Sequence, residues 1–131
     1  MDMAITFNHT IVAARDREES ANYFTDMFGL ASAKVFGPFL AVTLNHGVSL
    51  DFVQVSDDQE IHPQHYAFLV SETEFDAIYG RLRQRGQRHW ADPHGAHPDE
   101  INHHDGGRGV YFQDPAGHYL EIITRPYGSG G

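Results

Sequence analysis

The chain reads as an α+β protein built from two βαβββ modules. They are expected to form a curved, half-open mixed sheet with helices outside and a cleft within. Three observations predict this. Segment 9–30, HTIVAARDREESANYFTDMFGL, and segment 65–86, HYAFLVSETEFDAIYGRLRQRG, follow one plan: a His in an apolar run, an acidic polar turn, an amphipathic stretch and a closing Gly. Apolar runs of strand length follow each amphipathic stretch. Each half is also too small to cover its own sheet, so the two must associate.

The elements follow in order. Ile5–Val12 is the first strand-like run. The first helix runs from about Arg17 to Phe28, with Ala21, Phe24, Met27 and Phe28 on one face. Asp16 and Glu19 have the spacing of a capping box. Strands follow at Ala33–Phe36, Phe39–Asn45 and Val48–Val55, the last two joined by the Asn45-His46-Gly47 turn. In the second half, His65–Val70 is a strand and the helix runs from about Thr73 to Arg85. Ser71 and Glu74 cap it, and Phe75, Ile78, Tyr79 and Leu82 line its face. Strands then follow at Arg88–Ala91, Gly109–Gln113 and His118–Arg125, with Asp114-Pro115-Ala116-Gly117 as the turn. Module 1 thus spans about 4–55, a polar linker 56–64, module 2 about 65–125 and a flexible tail 126–131.

Composition bounds the function. A length of 131 residues predicts one domain, and 40% apolar with 12% aromatic residues supports a real core. A net charge of −9, with no run of Lys or Arg, argues against a nucleic-acid partner. The absence of Cys excludes disulfides, thiolate nucleophiles and Cys-bound zinc. No apolar stretch approaches the length of a membrane span and no leader pattern opens the chain, so a cytoplasmic location away from membranes is expected. Ten His raise the odds of metal chemistry.

His9, His65 and Glu121 each sit inside a strand-like apolar run. Burying an imidazole or carboxylate there costs several kcal/mol unless a partner compensates. One divalent metal would compensate all three. Two His and one carboxylate form a facial triad that leaves positions open for substrate. The repeat places His9 and His65 at equivalent points of the two modules. The alternative is three unrelated polar strand residues facing solvent.

The repeat, the triad and the run Gly109-Val110-Tyr111-Phe112-Gln113-Asp114-Pro115-Ala116-Gly117-His118-Tyr119-Leu120-Glu121 resemble the vicinal oxygen chelate superfamily. That group includes glyoxalase I, fosfomycin resistance proteins, extradiol dioxygenases and bleomycin resistance proteins. The resemblance implies that His9, His65 and Glu121 bind a divalent metal, that substrate oxygens chelate it, and that the chain is a homodimer. The extradiol dioxygenase signature is the most similar, through Asn102, His104, Val110, Tyr111, Asp114, Pro115, Gly117 and Glu121. It implies that Tyr111 and His104 assist bound catecholate and oxygen, with iron(II) as the favoured metal.

Asp51 stands where those enzymes carry a His base and where glyoxalase I carries an acidic fourth ligand. That keeps nickel or zinc isomerase chemistry open, and manganese would suit a fosfomycin-type thiol transfer. Metal-free sequestration of a basic drug, as in bleomycin resistance, remains the alternative of another class. Arg125 and Arg108 are candidates to pair a substrate anion. The loop Asp92–Gly106, DPHGAHPDEINHHDG, is either a lid or a solvated loop.

Overall fold

A computed structural model describes residues 4–130. The chain divides into two compact units, the first ending at Ile61 and the second beginning at His62. The α+β class holds in each unit.

In module 1, β1 (His9–Ala14) leads into α1 (Arg17–Phe28), then β2 (Lys34–Phe36), β3 (Phe39–Thr43) and β4 (Ser49–Gln54). The sheet order is β1-β4-β3-β2, with β1 parallel to β4 and the other pairs antiparallel. In module 2, β5 (His65–Leu69) leads into α2 (Glu72–Gln84), then β6 (Gly109–Gln113) and β7 (Tyr119–Ile123). The order is β5-β7-β6, again with the first and last strands of the module parallel. Both sheets are therefore mixed, as expected, and the ladders form two separate sheets.

Local chemistry explains the helices. The Asp16 carboxylate accepts from the Glu18 and Glu19 amides at the start of α1, and Gly29 ends it at φ 67°. Ser71 and Glu74 form a full capping box on α2. Ala21, Phe24 and Met27 of α1 are buried, and Phe28 stacks on Phe24 at 4.3 Å. Phe75, Ile78 and Leu82 are the buried face of α2.

Strand alternation completes the cores. Val12, Ala14, Leu40, Val42, Leu50 and Phe52 are buried in module 1, and Val110, Phe112, Leu120 and Ile122 in module 2. Each large apolar side chain buried this way contributes about 1.5–3 kcal/mol. Among the described residues no helix is long and apolar enough to cross a membrane.

Three expectations change. Residues 4–8 are not strand; β1 begins at His9 itself. Arg88–Ala91 is not a strand either. Only Trp90 pairs, through antiparallel bridges to Tyr111 and Pro98. The Asp92 carboxylate then accepts from the amides of His94, Ala96 and His97, turning the chain away before a ladder can extend. The side chain of Gln87 takes the Gln113 carbonyl that a longer strand would have used.

The loop 92–106 is thus organised rather than structureless. Asn102 bridges to Gly109 and donates to the Ala91 carbonyl, and His104–Gly106 forms a short 3-10 turn. Residues 126–130, expected as tail, return to this loop, where the Asp105 carboxylate accepts from Gly128 and Gly130 amides at 3.1 and 3.3 Å.

Candidate metal centre

In module 2, register decides which side chains share a face. His65 lies opposite Tyr119, Ala67 opposite Glu121, and Tyr111 opposite Glu121 on the other side. Period-two alternation then puts His65, Tyr111 and Glu121 on one face of the sheet. The Glu121 side chain is fully buried, with 0% of its surface exposed. Its Oε1 lies 3.0 Å from His65 Nε2, and the His65 side chain is half exposed. The Tyr127 hydroxyl donates to Glu121 Oε2. The Tyr111 hydroxyl lies 3.1 Å from that of Tyr127. Because Tyr127 spends its one proton on the carboxylate, Tyr111 is the donor of this second bond. Desolvation, and then the hydrogen bond to Glu121, hold the Tyr127 phenol above its ordinary pKa. Desolvation likewise raises Tyr111, partly offset by its bond to Tyr127.

The same residues fit a divalent metal. A 3.0 Å gap between Nε2 and Oε1 suits a shared proton. It equally suits neighbouring ligands of one ion, since bonds of about 2.1 Å at a right angle place donor atoms roughly 3 Å apart. A fully buried carboxylate facing an imidazole nitrogen is the donor chemistry such an ion requires.

The corresponding face of module 1 carries His9. Its Nδ1 lies 2.6 Å from the Asn8 side-chain oxygen. With the proton on Nδ1, that bond leaves Nε2 with a free lone pair for ligation. Asp51 lies opposite Ile11 and Ala41, on the same face as His9, and accepts a 2.8 Å hydrogen bond from the Ser49 hydroxyl. His9 is exposed and opens its strand. The expectation that all three triad side chains are buried therefore holds for Glu121 alone. His9 is exposed and the His65 side chain is half exposed, although Glu121 on the same face as His65 is fully buried. Among the described residues no group of three or more His, Asp or Glu is gathered closely enough to hold a metal ion. His65 and Glu121 pair, while His9 belongs to module 1.

The remaining candidates separate clearly. His104 is exposed, and its backbone amide donates to Asn102. β7 stops at Ile123, so the strand spacing that put Arg125 on the Glu121 face does not reach it. Arg125 donates instead to the Ser129 carbonyl at 3.4 Å. Arg108 is engaged structurally: it bonds Glu72 and Asp76 at 2.8 Å each and lies 4.4 Å over the Phe75 ring. His118 is buried and accepts from the Gln64 amide through Nδ1, which makes it part of the scaffold. Tyr127 was missed by the sequence reading, because a Tyr in a Pro/Gly/Ser tail carries no periodic signal.

Comparison with known proteins identifies the family. The pattern of the Glyoxalase/Bleomycin resistance protein/Dioxygenase superfamily matches residues 6–122. The structure named Oxidase ChaP-H2 is 56% identical, superposes with a TM-score of 0.94, and covers 98% of this chain and 100% of its own. Oxidase ChaP-H1 is 57% identical with a TM-score of 0.91, covering 95% and 99%. Glutathione transferase FosA of Serratia marcescens is 28% identical over 92% of this chain and 81% of its own. These relatives bear the names of enzymes. With the family pattern running through nearly all of both modules, the chain belongs to the glyoxalase/bleomycin resistance protein/dioxygenase superfamily.

Proposed function

We propose that this protein is a metal-dependent oxidase of small molecules carrying two adjacent oxygens, such as catechols. The buried Glu121 carboxylate set against His65 Nε2 is the observation that carries the reading. In this reading His9, His65 and Glu121 are the ligands. When bound, a divalent ion supplies Lewis acidity to substrate oxygens and lets negative charge develop on them. Iron(II) is favoured because the two structures at 56% and 57% identity are named oxidases. Manganese, nickel and zinc remain alternatives.

The chain's own residues divide the remaining tasks. One carboxylate against a divalent ion leaves the centre with net positive charge, which attracts a deprotonated substrate. The Tyr111 oxygen accepts from a substrate hydroxyl while its own hydroxyl donates to the Tyr127 oxygen. Asp51 stands ready as a proton acceptor on the His9 face. His104 assists from the loop. The reading includes a homodimer, for which exposed Val35, Phe36 and Leu69 offer apolar surface.

Elemental mass spectrometry on tag-free wild type and on His65→Ala tests the proposal, followed by oxygen uptake on a catechol panel. About one iron per chain, lost in the variant, with uptake abolished by chelator and restored by iron(II), is the expected result. Equal metal in both proteins overturns it and turns attention to drug sequestration. A second reading rests on the similarity to FosA: thiol transfer to an epoxide, expected to show with manganese and glutathione in place of oxygen uptake.

A further inference from the structure

Tyr127 lies beyond the segment that the superfamily pattern matches, which ends at residue 122. It reaches the candidate centre all the same, because its segment is tied down. Asp105 adopts φ 58°, a left-handed conformation uncommon outside Gly, and from there its two carboxylate oxygens hold the Gly128 and Gly130 amides. Tyr127 is fixed between the end of β7 and those anchors. Its ring is largely exposed while its hydroxyl meets a fully buried carboxylate. The two Glu121 oxygens are therefore divided, Oε1 facing His65 and Oε2 taken by Tyr127, which is itself backed by Tyr111.

We propose that Tyr127, held by the Asp105 clasp on the loop 92–106, is a positioning residue that keeps Glu121 a one-oxygen ligand. The inference rests on the metal reading above. A carboxylate free to rotate can offer both oxygens to one ion and occupy a position that a bidentate substrate needs. A hydroxyl bonded to Oε2 prevents this and directs Oε1 beside His65 Nε2. Partners behind a ligand typically change metal affinity by roughly 10–100-fold. The clasp also joins the His-rich loop to the site, so the loop's conformation bears on the orientation of Glu121.

The test compares wild type, Tyr127→Phe and Asp105→Gly. Gly accepts the positive φ at 105 while removing the clasp. Calorimetric titration with manganese(II) gives affinity, and the visible spectrum of cobalt(II)-loaded protein reports coordination number, since d–d absorption weakens as ligands are added. The metal-free variants should melt within a degree or two of wild type. Expected are an affinity loss of roughly 10–100-fold in Tyr127→Phe, a smaller loss in Asp105→Gly, and weakened cobalt absorption in both. Affinity in Tyr127→Phe within twofold of wild type together with unchanged cobalt absorption overturns the positioning role while leaving the metal site intact. Failure of wild type itself to bind either ion overturns the metal reading and this inference with it.

Discussion

The two modules share one register and diverge in what they do with it. In module 1, His9 pairs with Ser49, and Asp51 stands two residues further along β4, opposite Ile11. In module 2, His65 pairs with Tyr119, and Glu121 stands two residues further along β7, opposite Ala67. Asp51 and Glu121 thus occupy the same node of the repeat. On the neighbouring antiparallel strand, Asp51 faces Ala41 while Glu121 faces Tyr111. The shorter acid turns to its own strand, accepting from Ser49. The longer acid meets His65 through one oxygen and the Tyr127 hydroxyl through the other, with Tyr111 bonded in turn to Tyr127. One duplicated frame therefore carries a buried, fully partnered carboxylate in one copy and a half-buried, locally satisfied one in the other.

The largest effect should break that equivalence directly. Glu121→Gln should weaken metal binding by more than the roughly 10–100-fold that an outer hydrogen-bond partner is worth. Asp51→Asn should change it by less than about tenfold, both read by calorimetry. Equal losses would make Asp51 a fourth ligand and restore the symmetry of the modules.

Next come the two cores. Phe24 of module 1 and Phe112 of module 2 are both buried. Phe24→Ala and Phe112→Ala should each cost about 3–5 kcal/mol in urea denaturation. A loss under 1 kcal/mol in either would show that its module collapses around the vacancy.

A pair of glycines in module 2 sharpens the comparison of loop and helix. A Cβ on Gly109 would lie 2.8 Å from the Asn102 side-chain oxygen, whereas one on Gly80 in α2 meets open space. Gly109→Ala should destabilise by about 1–3 kcal/mol and loosen the loop that Asn102 pins. Gly80→Ala should stabilise by roughly 0.5–1 kcal/mol, since a helical Gly surrenders backbone entropy. Equal and small changes at both would show that the Asn102 bridge carries no strain.

The smallest effect lies in the hairpin turns. Module 1 uses the neutral Asn45 side chain, which accepts from the His46 amide. Module 2 uses the Asp114 carboxylate, which accepts from Ala116 and His118. Burial raises the Asp114 pKa, partly offset by these backbone hydrogen bonds and by His118. A raised folded value means stability present below the ordinary carboxylate range and lost as pH rises through the folded pKa. Asp114→Asn keeps an accepting oxygen and removes this slope. Melting curves between pH 4 and 8 should therefore fall with rising pH in wild type relative to the variant. Parallel curves would place the pH dependence elsewhere.

Much of this was legible along the chain, because its signals are local. The span of α1 agrees with its expected bounds at both ends, since Asp16 and Gly29 are cap residues whose chemistry acts within one turn. β6 likewise matches, because Gly109 and the Asp114 turn bound an apolar run. The doubling of the plan was visible from the two His-led segments. Arg88–Ala91 misled because its run has strand propensity, while the carboxylate of Asp92, outside the run, redirects the amides that follow.

The helix caps, the alternating cores and the residue types suited to a metal were set by the chain alone. Each depends on neighbours within a few positions. Tertiary structure buried Glu121, set Asp51 at the equivalent position of the repeat, tied Arg108 to α2 and brought the Tyr127 hydroxyl to the Glu121 carboxylate. Those outcomes rest on strand register and on contacts between residues far apart in the chain, which no local periodicity encodes.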